Sequence, residues 1–119
     1  MTAKITLPWI DRDCSPNSRG HWKKLYAARK RRKHQAWLIA CQMPNVKNKP
    51  IPLKITFYPP DRRGYDLDNC LASLKGDLDG ISMRLGIDDK NFKPITIDFG
   101  PVTKGGAVEI NFLINVFDQ

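Results

Sequence analysis

Histidine and cysteine are both scarce in this sequence, and neither falls into a ligand pattern. His21 and His34 are the only histidines, too few for a histidine-ligated metal centre. Cys14, Cys41 and Cys70 are odd in number and widely spaced, with no C-x-x-C pair. That excludes a zinc site built on cysteine alone and argues against a disulfide framework. Long apolar runs are missing as well. Polar or charged residues interrupt every hydrophobic stretch well short of the ~20 residues a membrane helix needs. Met1-Thr2-Ala3-Lys4 leads straight into an alternating pattern without the apolar centre of a signal peptide. A cytoplasmic protein with no membrane partner is therefore expected. The length of 119 residues suits a single domain over 1–119 with one core.

Acidic residues are nearly absent from the first half. Residues 1–60 hold thirteen Lys and Arg against only Asp11 and Asp13, a net of +11. Residues 61–119 hold seven basic and ten acidic residues, a net of −3, which brings the whole chain to +8. A basic surface of this size attracts polyanions over roughly a Debye length, about 8–10 Å at physiological salt. Eight of the twelve acids fall between Asp61 and Asp98. Acids beside a bound phosphate are tolerable only if something positive, such as a divalent cation, sits between them.

Periodicity divides the chain into six elements. Ala3, Ile5, Leu7 and Trp9 alternate with polar residues as a half-buried strand does, and Asp11 to Asn17 reads as a loop. Residues from about 20 to 42 lack proline and carry Trp22, Leu25, Tyr26, Ala28, Trp37, Leu38 and Ala40, which suits a helix. Its apolar stripe fades at Arg29-Lys30-Arg31-Arg32-Lys33, five basic residues that cover more than one turn. After a linker over 43–50, Ile51, Leu53, Ile55 and Phe57 alternate as a second strand ended by Pro59-Pro60. Leu71, Leu74, Leu78, Ile81 and Leu85 follow the 3, 4, 3, 4 spacing of an amphipathic helix that Gly86 stops. Ile95, Ile97 and Phe99 alternate, Gly100 to Gly106 turns the chain, and Val108 to Val116 alternate again. The predicted order β-α-β-α-β-β makes an α+β domain, a small mixed sheet covered by two helices.

Asp66-Leu67-Asp68-Asn69 falls where strand chemistry ends and helix chemistry begins. In extended chain, residues i and i+2 point to one side, so both carboxylates would face one spot. Two such anions about 4 Å apart repel by roughly 1–4 kcal/mol, depending on screening, and a bridging cation removes that cost. Mg²⁺ takes oxygen ligands and keeps sites for water and phosphate. Asp68 alone also reads as an ordinary helix N-cap. Asp88-Asp89 lacks that excuse, because it follows the carboxyl end of the helix, where the dipole disfavours anions. Asp77 and Asp79 flank Leu78 and diverge on the helix, so solvated surface charge is expected of both.

Together these residues carry a resemblance. Pro60-Asp61-Arg62-Arg63 leading into Asp66-Leu67-Asp68-Asn69, then Asp88-Asp89, then Pro101-Val102-Thr103-Lys104-Gly105-Gly106 before an alternating strand, are similar to RusA-type Holliday junction resolvases. Ile5-Thr6-Leu7-Pro8-Trp9 fits as well. The resemblance covers the first strand and most of 57–116. It implies a homodimeric crossover junction endonuclease of DNA recombination and repair, common in prophages, that nicks four-way DNA symmetrically. It also implies Mg²⁺ as cofactor, one or two ions per subunit with Mn²⁺ able to substitute, held by Asp66, Asp68 and Asp89. The family carries a lysine one helical turn after the second Asp, where this chain has Ala72. Lys75, one turn further on, is the candidate replacement as a catalytic cation.

Residues 10–50 match the family poorly, so the basic helix is this chain's own feature. Arg62, Arg63 and Lys104, with Lys23, Lys24, Arg29, Lys30, Arg31, Arg32 and Lys33, are the expected phosphate contacts. The rival expectations are a basic DNA-binding protein without catalysis, and a nuclease for flaps or forks.

Overall fold

Four strands and three helices form in a computed structural model that describes residues 2–16, 22–44, 46 and 50–114. In chain order they are β1 (Thr2–Pro8), α1 (Trp22–Ala40), β2 (Ile51–Tyr58), α2 (Leu67–Ser73), α3 (Lys75–Leu85), β3 (Phe92–Phe99) and β4 (Ala107–Leu113). The strands make one mixed sheet in the order β1-β4-β2-β3. β4 is antiparallel to both neighbours, with Ile110 opposite Ile5 on one side and Ile55 on the other. β2 and β3 run parallel, Leu53 opposite Ile95 and Phe57 opposite Phe99. A parallel pair needs a crossover, and α2 with α3 supplies it. The α+β architecture expected from periodicity is the one that forms. Val116 lies outside the described residues.

Alternation puts one sheet face inside. Ile5, Leu7, Leu53, Ile55, Phe57, Val108, Ile110 and Phe112 are buried and share one core with Ala36, Ala40, Leu74, Ile81 and Leu85 of the helices. Lys4, Thr6 and Lys54 occupy the other face and are exposed. β3 is an edge strand and departs from the pattern, since Phe92 is its only buried residue and Ile95 is exposed. Among the described residues no helix is long and apolar enough to cross a membrane.

The helix expected from 71 onward is two helices. Leu74 has φ −90° and ψ 3°, and its N–H bonds to the Leu71 carbonyl, which closes α2 with a tight turn. α3, and not α2, then packs along α1. Gly76 and Gly80 face the backbone of α1 at Arg29 and Lys33; a Cβ at Gly76 would meet the Arg29 carbonyl at 2.8 Å, and one at Gly80 would meet the Lys33 carbonyl still closer. Gly86 ends α3 in the left-handed conformation, φ 71°, with the Ile87 N–H returning to the Ser82 carbonyl.

Such a close crossing excludes large side chains, and α1 is turned accordingly. Its buried residues are Ala28, Arg32, Ala36 and Ala40, one seam at four-residue spacing. Trp22, Tyr26, Trp37 and Leu38, expected on the apolar stripe, are exposed instead. Arg32 at the seam is bidentate with Asp77 of α3, Nη2 at 2.9 Å and Nε at 3.2 Å. Its two Nη groups also donate to the carbonyls of Trp9 and Pro8, each at 2.9 Å. Two expectations are corrected here. Asp77 is no surface charge, being 1% exposed, and Arg32, at 6%, is buried with four of its five N–H donors spent inside the protein, so it is not placed to meet phosphate.

Removing one member of a buried pair strands the other charge. Asp77→Leu should cost about 3–5 kcal/mol. Arg32→Met combined with Asp77→Leu should cost less than Asp77→Leu alone, but more than nothing, because the Trp9 and Pro8 carbonyls lose their donor. Urea unfolding of the single and double variants checks this, and simply additive losses would mean that the two side chains are not coupled.

Burial pushes the Asp77 carboxyl up from 3.8 to about 6, against the pull of Arg32 beside it. A group whose pKa rises on folding stabilises the fold fully below its unfolded value and loses that contribution as pH climbs through the folded one. The window is therefore about pH 4 to 6. Asp77→Asn keeps an acceptor for Arg32 and should flatten the pH dependence of the urea midpoint across that window, relative to the wild type.

Candidate active site

Asp66 is the residue that caps α2. It has extended backbone, and its Oδ1 accepts from the N–H groups of Asp68 at 2.8 Å and Asn69 at 3.4 Å. Asp68 lies in the first helical turn and is exposed. The expected geometry, two carboxylates projecting together from extended chain, is thus replaced by a cap and a first-turn carboxylate. The capping role assigned to Asp68 belongs to Asp66. The reason is local: the helix begins at Leu67, and its orphan N–H groups take the nearest carboxylate oxygen.

The preceding loop is held by its own side chains. Asp61 accepts from the Arg63 N–H and the Tyr65 hydroxyl, each at 3.1 Å, and Arg63 Nε lies 3.4 Å from the same oxygen. The Arg63 N–H is the main reason the Asp61 carboxyl sits below its ordinary range. Tyr65 packs edge-on against Trp9 with ring centroids 5.1 Å apart. These contacts fix the loop at the carboxyl end of β2, and Arg62 and Arg63 extend from it into solvent.

Asp89 stands elsewhere. It opens a single 3-10 turn, Asp89–Asn91, that precedes β3 and is capped by Asp88. The Asp89 carboxyl is pushed up first by its hydrogen bond with Asp79 of α3, then by burial, then by Asp88. Neighbouring carboxylates repel, and a proton or a cation beside them relieves that cost. Lys75 is close by. It borders a depression of about 230 Å³ together with Leu78, Asp89, Phe92 and Ile95. It also borders the groove that contains Asp79, Tyr26 and Trp37.

Of the expected catalytic set, then, the fold brings Lys75 and Asp89 together and leaves Asp66 and Asp68 apart from them. Asp66 follows the end of β2, whereas Asp89 precedes the start of β3. Because these strands pair in parallel, from Ile51 opposite Phe92 to Phe57 opposite Phe99, the two aspartates flank opposite ends of a ladder roughly 20 Å long. Among the described residues no group of three or more His, Cys, Asp and Glu is arranged to hold a metal ion. One chain alone does not assemble the three-aspartate set.

Asp79 was missed by the sequence reading. Lys75 and Asp79 are four apart and share a face of α3, which was legible. That the segment after Gly86 doubles back to set Asp89 beside Asp79 was not.

The basic residues also divide. Arg29, Lys30 and Lys33 line the groove between α1 and α3. Arg31 turns the other way, 3.4 Å from Asp11, and Arg32 turns inward. Lys23, Lys24 and Lys104 are exposed, as is Ala72. Cys14, Cys41 and Cys70 are free thiols. Burial pushes Cys70 to about 11, which makes it a poor nucleophile.

No protein-family model matches this chain. A protein of Xylella fastidiosa strain Temecula1, described as uncharacterized, is 39% identical over 112 residues, spanning 89% of this chain and 72% of that protein. At that identity and coverage, the chain belongs to the same family as the uncharacterized Xylella fastidiosa protein.

Proposed function

We propose that this protein is a homodimeric, Mg²⁺-dependent endonuclease that nicks four-way branched DNA. The observation that carries the reading is Lys75 and Asp89 lining one depression, next to a groove lined by Arg29, Lys30 and Lys33, with the neighbouring Asp79 raising the Asp89 carboxyl. Carboxyls held together need positive charge, and phosphate hydrolysis needs a cation at the scissile group. The net charge of +8 and the resemblance to RusA-type resolvases support the same reading.

The separation of Asp66 and Asp68 from Asp89 gives the dimer a chemical role. In a two-fold dimer, Asp66 and Asp68 of one protomer meet Asp89 of the partner subunit, and each dimer holds two equivalent sites. Mg²⁺ bound there would neutralise charge on the scissile phosphate and favour an attacking water. Asp66 keeps one carboxylate oxygen for that task while the other caps α2, so the helix start also orients the ligand. Lys75 places a cation where charge grows on the phosphate, and Arg62 and Arg63 hold flanking phosphates.

A second reading, DNA binding without cleavage, is favoured by the Asp66 cap, which explains that residue with no metal. A nuclease for flaps or forks would use the same residues. Comparing four-way, forked and linear substrates with and without Mg²⁺ separates these readings from the first.

Asp68→Asn and Asp89→Asn should each abolish nicking and keep junction binding. Mixed and allowed to exchange subunits, the two inactive variants should regain about a quarter of wild-type nicking, since half the dimers are mixed and each has one intact site. A mixture that stays inactive means that the site is not shared between subunits.

Lys75→Ala should slow single-turnover nicking on the order of a hundredfold with little change in affinity, because the lost contact acts mainly on transition-state charge. An unchanged rate at saturating enzyme would make Lys75 a surface residue.

A further inference from the structure

Helical geometry sorts the basic run of α1 onto separate faces. Positions 26, 29, 30, 33 and 37 recur at three- and four-residue steps, so Tyr26, Arg29, Lys30, Lys33 and Trp37 form one stripe. That stripe is one wall of the groove between α1 and α3, whose volume is about 710 Å³. The aromatics bracket the cations, and Tyr26 and Trp37 lie about 16 Å apart along the helix axis. Tyr26 is 65% exposed and Trp37 38% exposed, so ring surface is open to a ligand. The Arg29 Nε is buried and has no hydrogen-bond partner. Gly76 of α3 is part of the opposite wall, and Asp79 is an acid on that side.

We propose that this groove holds a single strand of DNA, with bases stacked on Tyr26 and Trp37 and phosphates on Arg29, Lys30 and Lys33. A groove that combines stacking rings with cations is the pattern that binds unpaired strands, since every base has a flat face and every nucleotide a charge. Duplex DNA offers phosphates but no free base faces, and would leave both rings unused. A second copy of this chain is a poor occupant, because a two-fold contact here would press the cation stripe against itself. Lys75 borders both this groove and the Asp89 depression, so a strand lying in the groove passes the candidate cutting site. The proposal rests on the nucleic-acid part of the reading above, and not on cleavage.

The test uses the intact protein with fluorescein-labelled oligo(dT) and a duplex of equal length. Tyr26→Ala and Trp37→Ala should each weaken oligo(dT) binding roughly 5- to 150-fold, the range for one base–aromatic stack, and leave duplex binding in place. Lys30→Gln, an exposed change that spares the core, should lower the log–log salt slope for oligo(dT) by about 0.7. Thermal unfolding of each variant checks that the fold survives. Unchanged oligo(dT) affinity in both aromatic variants overturns the proposal, as does an equal loss on duplex. A change in sedimentation on Trp37→Ala also overturns it, since a second copy would then fill the groove. Junction nicking by the same wild-type preparation keeps the two readings distinct. Nicking with aromatic-independent oligo(dT) binding sinks this proposal alone, and aromatic-dependent binding without nicking sinks the endonuclease alone.

Discussion

The Arg32–Asp77 pair joins three elements that sequence separates widely. It links α1 to α3 through two hydrogen bonds, and α1 to the end of β1 through the carbonyls of Pro8 and Trp9. A guanidinium in the interior is tolerated only when its donors are nearly all satisfied, and here four contacts leave little unspent. Satisfying those donors sets the rotation of α1 about its own axis. Once Arg32 points inward, Ala28, Ala36 and Ala40 must follow, being whole turns away on the same face. The larger residues of α1 are turned outward by the same rotation.

Close packing follows from that rotation. An alanine seam on α1 and the two glycines of α3 let the backbones approach further than leucines would allow. The approach also explains the break at Leu74. α2 lies against β3, whereas α3 must leave that line to reach α1. The helix that sequence periodicity draws as one rod is therefore divided where its two halves have different partners.

The same geometry shapes the candidate site. Breaking the helix at Leu74 makes Lys75 the first residue of α3, beside the turn that carries Asp89. The left-handed cap at Gly86 sends the chain back along α3, so Asp89 meets Asp79 instead of projecting past the helix end. Asp66 and Asp68 stay with the loop at the far end of the β2–β3 ladder. These three aspartates are thus drawn from both ends of one ladder, and the proposed function joins dimerisation to catalysis for that reason.

Much of the architecture was legible in the sequence. Alternation located all four strands, and in β1, β2 and β4 it does so because a pleated chain facing a core on one side requires it, whereas the alternating Ile95 of the edge strand β3 is exposed. Gly86 marked the end of α3, because the left-handed conformation at φ 71° suits glycine above other residues. The uneven charge and the Asp66-x-Asp68 and Asp89 positions are legible in the sequence itself. The fates of individual residues within those patterns were decided by tertiary structure. Five consecutive basic residues look alike on paper, yet Arg29, Lys30 and Lys33 line a groove, Arg31 meets Asp11, and Arg32 is buried. Asp77 and Asp79 look like a surface pair, yet one anchors α1 and the other meets Asp89. Periodicity states which residues share a face of an element. What that face meets depends on contacts between segments far apart in the chain, and no local pattern encodes them.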